Sequence, residues 1–528
     1  MKATQFVLLL TIILSSSTAH SGIHKWVDEN GQTHFGDSPP KVPRQNTSKK
    51  TIQSQSLPYQ TNNTKEIEND QLKSTLRSFF IQKKYIELNE ILGNLQAKTE
   101  SDIRSEESLC RAYRTFNIST SSSQAIHDAW VQQTPKSYQA YLARAMHYYA
   151  AAWKARGGGW ASNVSAQSMT NMRTLLGKAD ADITKVLEFN SKSLPAYVLR
   201  VRVYKTLGLD TTKILKKGLQ ASPASYSIRE SYLDSITPHW GGSYEAMSSF
   251  AKKSQAYKYK NKKISLLQGI PYWVVADDLR RDASYKQAEI TYNKALEYGE
   301  NHNVYHSRGV NSYYQKNYKA ALQDFDKANS LYPENSEHLR WISKTYSALE
   351  EHSKALKAIK KAQQINPFDS NVLKQMRVIA LHFTQSGYTA SNNATSKLAI
   401  ENFTLALDAT PEDADIYYRR SRVHAEEFNL DKAEKDAKKA LQLDPSKYSY
   451  YVNIDWILAK RKKWPAIVKY WEQYLAINPD DHRALLQVGG TFFHQGNVKK
   501  ALEYAKRSAD LGNKEALVTY NKYKHLVN

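Results

Sequence analysis

Beyond residue 66 apolar side chains recur every three to four positions through nearly the whole chain. In LKSTLRSFFIQKKYIELNEILGNL, Leu72, Leu76, Phe79 and Phe80 mark one apolar face; Ile86, Leu88, Ile91, Leu92 and Leu95 mark a second. That spacing predicts two paired amphipathic helices. ADADITKVLEFNSKSLPAYVLRVRVYKTLGL predicts two more, joined around Ser191–Leu194. AYLARAMHYYAAAWKARGGGWA predicts a helix that breaks at Gly157-Gly158-Gly159. One stretch departs from this period. IHKWVDENGQTHFGDSPP, Ile23 to Pro40, reads as two short strands around Asn30-Gly31, a pair that readily takes positive φ. A two-residue turn there would set Trp26 opposite Phe35 and His24 opposite Asp37. Such an aromatic pair stabilises a hairpin by up to about 1 kcal/mol, too little for it to stand alone.

The second half of the chain repeats itself. Apolar-spacer-Pro endings fall at Pro333, Pro367, Pro411, Pro445 and Pro479, separated by 34, 44, 34 and 34 residues. The extra ten residues are expected as a loop over Ser386–Ser396, SGYTASNNATS. Gly309, Ala321, Phe325 and Ala328 precede Pro333; Tyr346, Ala355, Ile359 and Ala362 precede Pro367, with Ser343 where glycine is usual. Ala399, Phe403 and Ala406 follow, then Ala433 and Ala440, then a degenerate unit with Ile467, Trp471 and Tyr474. Gly489 and Ala501 mark the last unit, and Ala288, Tyr292 and Ala295 an earlier one. This pattern resembles the tetratricopeptide repeat, a 34-residue helix–turn–helix unit. Small residues let its helices approach, an aromatic fills the gap to the next unit, and proline ends the second helix. The expected fold class is an all-α, tetratricopeptide-like helical-repeat solenoid with a short N-terminal β-hairpin module.

The expected organisation begins with an export signal over residues 1–19. Lys2 precedes the apolar run Phe6–Leu14, which is too short to span a bilayer, and small residues lead to cleavage after Ala19, with Ser21 as the alternative. No cysteine follows, so no lipid-attachment site is expected. Residues 20–43 form the hairpin module. Its Lys25, Trp26, Asp28, Gly31, Phe35, Asp37, Pro39 and Pro40 are similar to a small N-terminal domain of unknown function common in exported proteobacterial proteins. That resemblance implies a periplasmic setting in a Gram-negative bacterium and assigns no chemistry. Residues 44–65, rich in Ser, Thr, Asn, Gln and Lys, read as a linker. Residues 66–263 form a helical domain with diverged repeat-like helix pairs. Its segments Thr134–Gly157 and Thr237–Met247 resemble an uncharacterised bacterial family of repeat-associated helical domains. Repeats occupy 264–513, and 514–528 make a capping helix with a polar outer side.

Composition narrows the chemistry. Of 528 residues, 41% are hydrophobic and 35 are tyrosine, enough for a large core. Mean hydropathy is −0.64, against a multispanning membrane protein. Lys and Arg exceed Asp and Glu by 74 to 51, a net charge of +23. For an exported protein this points to acidic partners or anionic envelope surfaces rather than nucleic acid. The local clusters Lys258–Lys263 and Lys460–Lys463 read first as solvated helix ends. Cys110, the only cysteine, reads as a small buried hydrophobe. No nucleophile elbow, zinc-protease or phosphate-loop motif is present, and the 15 histidines are scattered. No catalytic, cofactor or metal site is therefore expected. The turn PHWGGS exposes His239 and Trp240 as a candidate surface feature, with a packed turn as the plainer reading. The leading expectation is a non-catalytic periplasmic scaffold taking a protein or peptide partner on its first helices. Candidate contacts by register are Tyr305, Arg308, Ser312, Arg340, Lys344, Tyr418, Arg419 and Arg422. The alternative is a basic array that binds an anionic envelope polymer or glycan.

Overall fold

The computed structural model describes residues 24–27, 33–36, 64–158, 163–333, 335–367 and 369–526. The described residues beyond 64 are helical almost throughout. The chain divides into two compact units, Met1–Leu331 and Tyr332–Asn528. The division falls within the repeats.

In the first unit, helices Thr64–Ile81 and Tyr85–Ser101 bury Leu76, Phe80, Leu88 and Leu92 against Tyr113, Phe116 and Trp130. The rings of Tyr85 and Trp130 stack at 5.8 Å, and Phe116 meets Trp130 edge-on at 5.4 Å. The longest pairing joins Tyr138–Arg156 to Ala166–Phe189. The first of these helices ends at Gly157, whose φ of +78° suits glycine. Before them, His24–Val27 and Thr33–Gly36 pair antiparallel. Trp26 stands opposite His34, Lys25 opposite Phe35 and His24 opposite Gly36. This is one residue out of step with the register a two-residue turn would give, so the pairing centres on position 30 rather than between 30 and 31.

The second unit is a run of antiparallel helix pairs. First helices Ser336–Ala348, Ala414–Glu426, Tyr448–Lys460 and His482–His494 are each 13 residues long. Each packs on the helix that follows it. The small and aromatic positions read from the sequence face inward. Ala399, Ala406, Ala433 and Ala440 are fully buried, and Ile467, Trp471 and Tyr474 fill the degenerate unit. The turn after each first helix uses one residue in the left-handed region: Glu350, Ala394, Phe428, Lys462 and Gly496. The last four are 34 apart, so the turn repeats with the helices.

Two further expectations are corrected. The ten extra residues do not form a loop over Ser386–Ser396. They lengthen a first helix to Ser370–Asn392, 23 residues, with Asp369 Oδ1 capping its start at Asn371 N and Val372 N. The polar stretch stays helical as far as Asn392, because Phe383, Gly387 and Ala390 bury one side of it, and only Asn393–Thr395 form the turn. A Cβ at Gly387 would lie 2.7 Å from the Phe403 ring. The terminal helix Lys514–Tyr523 is not polar on its outer side, since it exposes Leu517 and Val518. Its one buried residue is Ala516, so little of its apolar surface finds a partner.

Candidate functional site

The periodicity of the second unit builds rows. Residues 34 apart take corresponding places on successive first helices, so Tyr418, Val452 and Leu486 form one row, and Arg422, Trp456 and Gly490 a second. Ala425, Ala459 and Phe493 form a third. Trp456, Val452 and Phe493 are large apolar side chains left 42%, 40% and 46% exposed. Lys460 Nζ lies 5.2 Å from the Trp456 ring. Space around Gly490 is open; an added Cβ would meet nothing within 4 Å.

The helices beneath these rows are tied together. Asn453 Nδ2 donates to Ser421 Oγ at 2.8 Å, and Ser421 Oγ donates to Ala433 O at 2.8 Å. Tyr418 packs on Tyr450 with ring centres 5.0 Å apart. The Arg483 guanidinium lies 4.5 Å from the Tyr448 ring centre. Such ties hold the exposed side chains on rigid supports, which lowers the ordering cost of binding.

The sequence-predicted residues fall into three situations. Tyr418 belongs to the rows, and the Arg422 side chain is 54% exposed, its one ion pair among the described residues being Glu426 at 3.7 Å. Arg419 is engaged within the unit: it donates to Asp415 at 2.9 Å and its guanidinium lies 4.2 Å from the Tyr388 ring centre. Arg340 and Lys344 both lie on the Trp341 ring, at 5.1 and 4.3 Å, and Arg340 pairs with Glu337. Burial, with Arg340 nearby, pushes the Lys344 ammonium down from its usual range. Tyr305, Arg308 and Ser312 belong to the first unit. Arg308 forks onto Asp324 at 2.9 and 2.6 Å, donates to Asn293 at 2.6 Å and stacks on Tyr305, while Ser312 is buried. The sequence reading did not single out Val452, Trp456 or Phe493. The signal was present: adding 34 to Tyr418 and to Arg422 gives Val452 and Trp456.

In the first unit, PHWGGS forms a tight turn in which Thr237 O accepts from Trp240 N and Gly242 N at 2.9 and 3.1 Å. His239 Nε2 accepts from Arg281 at 2.7 Å, and Trp240, 41% exposed, carries Lys205 Nζ 4.8 Å from its ring centre. Cys110 is buried, and burial pushes its thiol up to about 12, which leaves it a protonated, unreactive group at neutral pH. Among the described residues no group of three His, Cys, Asp or Glu side chains is placed to hold a metal. No described helix is long and apolar enough to cross a membrane.

Fold and surface together define a helical-repeat protein with an open, partly aromatic first-helix face. Family profiles match in order along the chain. A domain of unknown function (DUF4124) matches residues 10–64, and a second (DUF4034) residues 72–209; tetratricopeptide repeats match 414–447 and 463–516. The chain thus carries an N-terminal DUF4124, a middle DUF4034 and C-terminal tetratricopeptide repeats. No curated protein matches it. Among solved structures, YrrB, described as a tetratricopeptide-repeat protein with an unusual peptide-binding site, is 23% identical. It covers 37% of this chain and 94% of its own, with a TM-score of 0.23. Yeast Tom70 is 14% identical, covering 88% of this chain and 96% of its own at a TM-score of 0.25. These likenesses concern the fold alone.

Proposed function

We propose that this chain is an exported, periplasmic, non-catalytic scaffold that captures a peptide segment of a partner protein on the first helices of its second unit. The observation that carries this reading is the row structure: Val452, Trp456 and Phe493 stand exposed beside Arg422 and the open surface at Gly490. Large apolar side chains on rigid helices lose free energy to water unless something covers them, and Trp and Arg dominate binding surfaces. The matched segment has an apolar or aromatic residue for the open surface at Trp456 and Gly490 and an acidic residue within reach of Arg422. The tetratricopeptide profiles over 414–447 and 463–516 support the assignment, because that repeat presents first-helix side chains to partners. In this reading the apolar run Phe6–Leu14 directs export, with cleavage after Ala19. The strand pair His24–Gly36 is then an appended N-terminal hairpin module.

A photo-crosslinking residue at position 452, activated in living cells, tests this. The expected result is a discrete crosslinked partner that fades when Trp456→Ala is added. Affinity for the recovered segment should fall at least about tenfold, as for a central aromatic contact, while the melting temperature stays within a few degrees. Crosslinks absent from the periplasmic fraction, or unchanged by Trp456→Ala, would sink the proposal.

A further inference from the structure

A second surface belongs to the first unit. Between Glu245 and Asp277 the chain has no acidic residue and six lysines: Lys252, Lys253, Lys258, Lys260, Lys262 and Lys263. Five of them are exposed. Those five, all but Lys263, form no ion pair among the described residues. Several other cations of the same unit are matched to acids: Arg144 to Asp182, Arg200 to Asp180, Arg308 to Asp324, and Lys263 itself to Glu107. What marks this segment is five unpaired lysines within eleven residues and no acid beside them. Tyr257 and Tyr259, alternating with Lys258 and Lys260, are 37% and 74% exposed.

The segment is pinned from below. Asn261 is buried, and its Nδ2 donates to Glu106 Oε1 at 2.8 Å and to Ala224 O at 3.0 Å. Glu106, 1% exposed, also accepts from Ser225 Oγ, Tyr226 N and Ser227 N at 2.6, 2.8 and 3.1 Å. Gln255 Nε2 donates to Ile264 O at 2.9 Å, closing the segment on itself. The guanidinium of Arg229, a buried side chain, lies 4.6 Å from the ring centre of Tyr257 and holds that ring in place. A solvated lysine run needs no such anchoring, because its charges are satisfied by water in any arrangement.

We infer that Lys252–Lys262 is a peripheral docking surface for an anionic phospholipid membrane. Charge complementarity selects the partner: unpaired lysines meet lipid phosphates, and the interleaved tyrosines suit the headgroup level, where one end of the ring is apolar and the other wet. An anionic soluble polymer would use the lysines and leave Tyr259 idle. In the lipid case the scaffold's partner is recruited at a membrane face.

Co-sedimentation of the full chain with vesicles tests this. Binding to phosphatidylglycerol vesicles and none to phosphatidylcholine vesicles is expected at about 0.1 M salt, with most of it lost at about 0.5 M. Lys258→Ser, Lys260→Ser and Lys262→Ser together should weaken binding about 100-fold. Tyr259→Ser should remove the part that survives high salt. Lys357→Ser, Lys361→Ser and Lys374→Ser, on exposed positions of the second unit, should leave binding unchanged, and matching melting temperatures check folding. Three outcomes overturn the inference: equal binding to both vesicle types, undiminished binding of the triple lysine variant, or capture of dextran sulfate through the same lysines with phosphatidylglycerol vesicles left unbound.

Discussion

Gly309 and Gly387 occupy the same place in their repeats, each under the ring of the aromatic sixteen residues on. A Cβ at Gly309 would come within 2.8 Å of Phe325, which is fully buried and cannot swing away. Gly309→Ala should therefore cost about 1–3 kcal/mol as an overpacked contact. Gly490→Ala, in open helical surface, should gain up to about 1 kcal/mol from propensity; urea midpoints of the two variants give the comparison. These small and aromatic positions were legible because spacing alone reveals them. His127 was not, since a lone histidine carries no periodic signal. It is fully buried, its Nδ1 donates to Ser123 O at 2.7 Å, and its Nε2 has no partner. Phe80 lies 4.5 Å and His147 5.0 Å away between ring centres. Burial, reinforced by His147, pushes it down to about 3. The unfolded chain takes up that proton near pH 6.5 while the folded one resists it. The contribution is thus complete above pH 6.5 and lost as pH falls toward 3. His127→Phe should shrink the drop in urea midpoint between about pH 7.5 and about pH 5; an unchanged drop would place the acid sensitivity elsewhere.

At the scale of the element, Glu106 shows how a remote side chain can start a helix. Its carboxylate gathers the first backbone N–H groups of Tyr226–Ser235 from 120 residues away, together with Asn261. Glu106→Ala would leave those buried donors and the Asn261 amide unmet, at about 3–5 kcal/mol. Amide exchange around residues 225–228 and 261 should accelerate more than in the distant helices. Helix positions were readable from periodicity here, but this junction was not, because nothing in local sequence links Glu106 to Ser225. The insertion after Pro367 failed for a related reason. SGYTASNNATS looks like a loop by composition, yet burial of Gly387 and Ala390 on one side keeps it helical up to Asn392.

At the scale of the molecule, the two compact units have separate cores, drawn around Trp130 in one and Trp471 in the other. Calorimetry should resolve two transitions, and Gly309→Ala should move only one of them. A single cooperative peak displaced as a whole would contradict this. The repeat class was legible at this scale from five prolines, whereas the division at residue 331 was not, because the 34-residue rhythm runs straight through it.

In the proposed reading the rows of the second unit would also act as a ruler. Helices Ala414–Glu426 and Tyr448–Lys460 are in contact, and touching helices lie about 8–10 Å apart. An extended chain advances about 3.3 Å per residue, so successive first helices meet every third residue of a segment laid across them. A captured segment would be read in triplets, and sliding it by one residue would misplace every contact together.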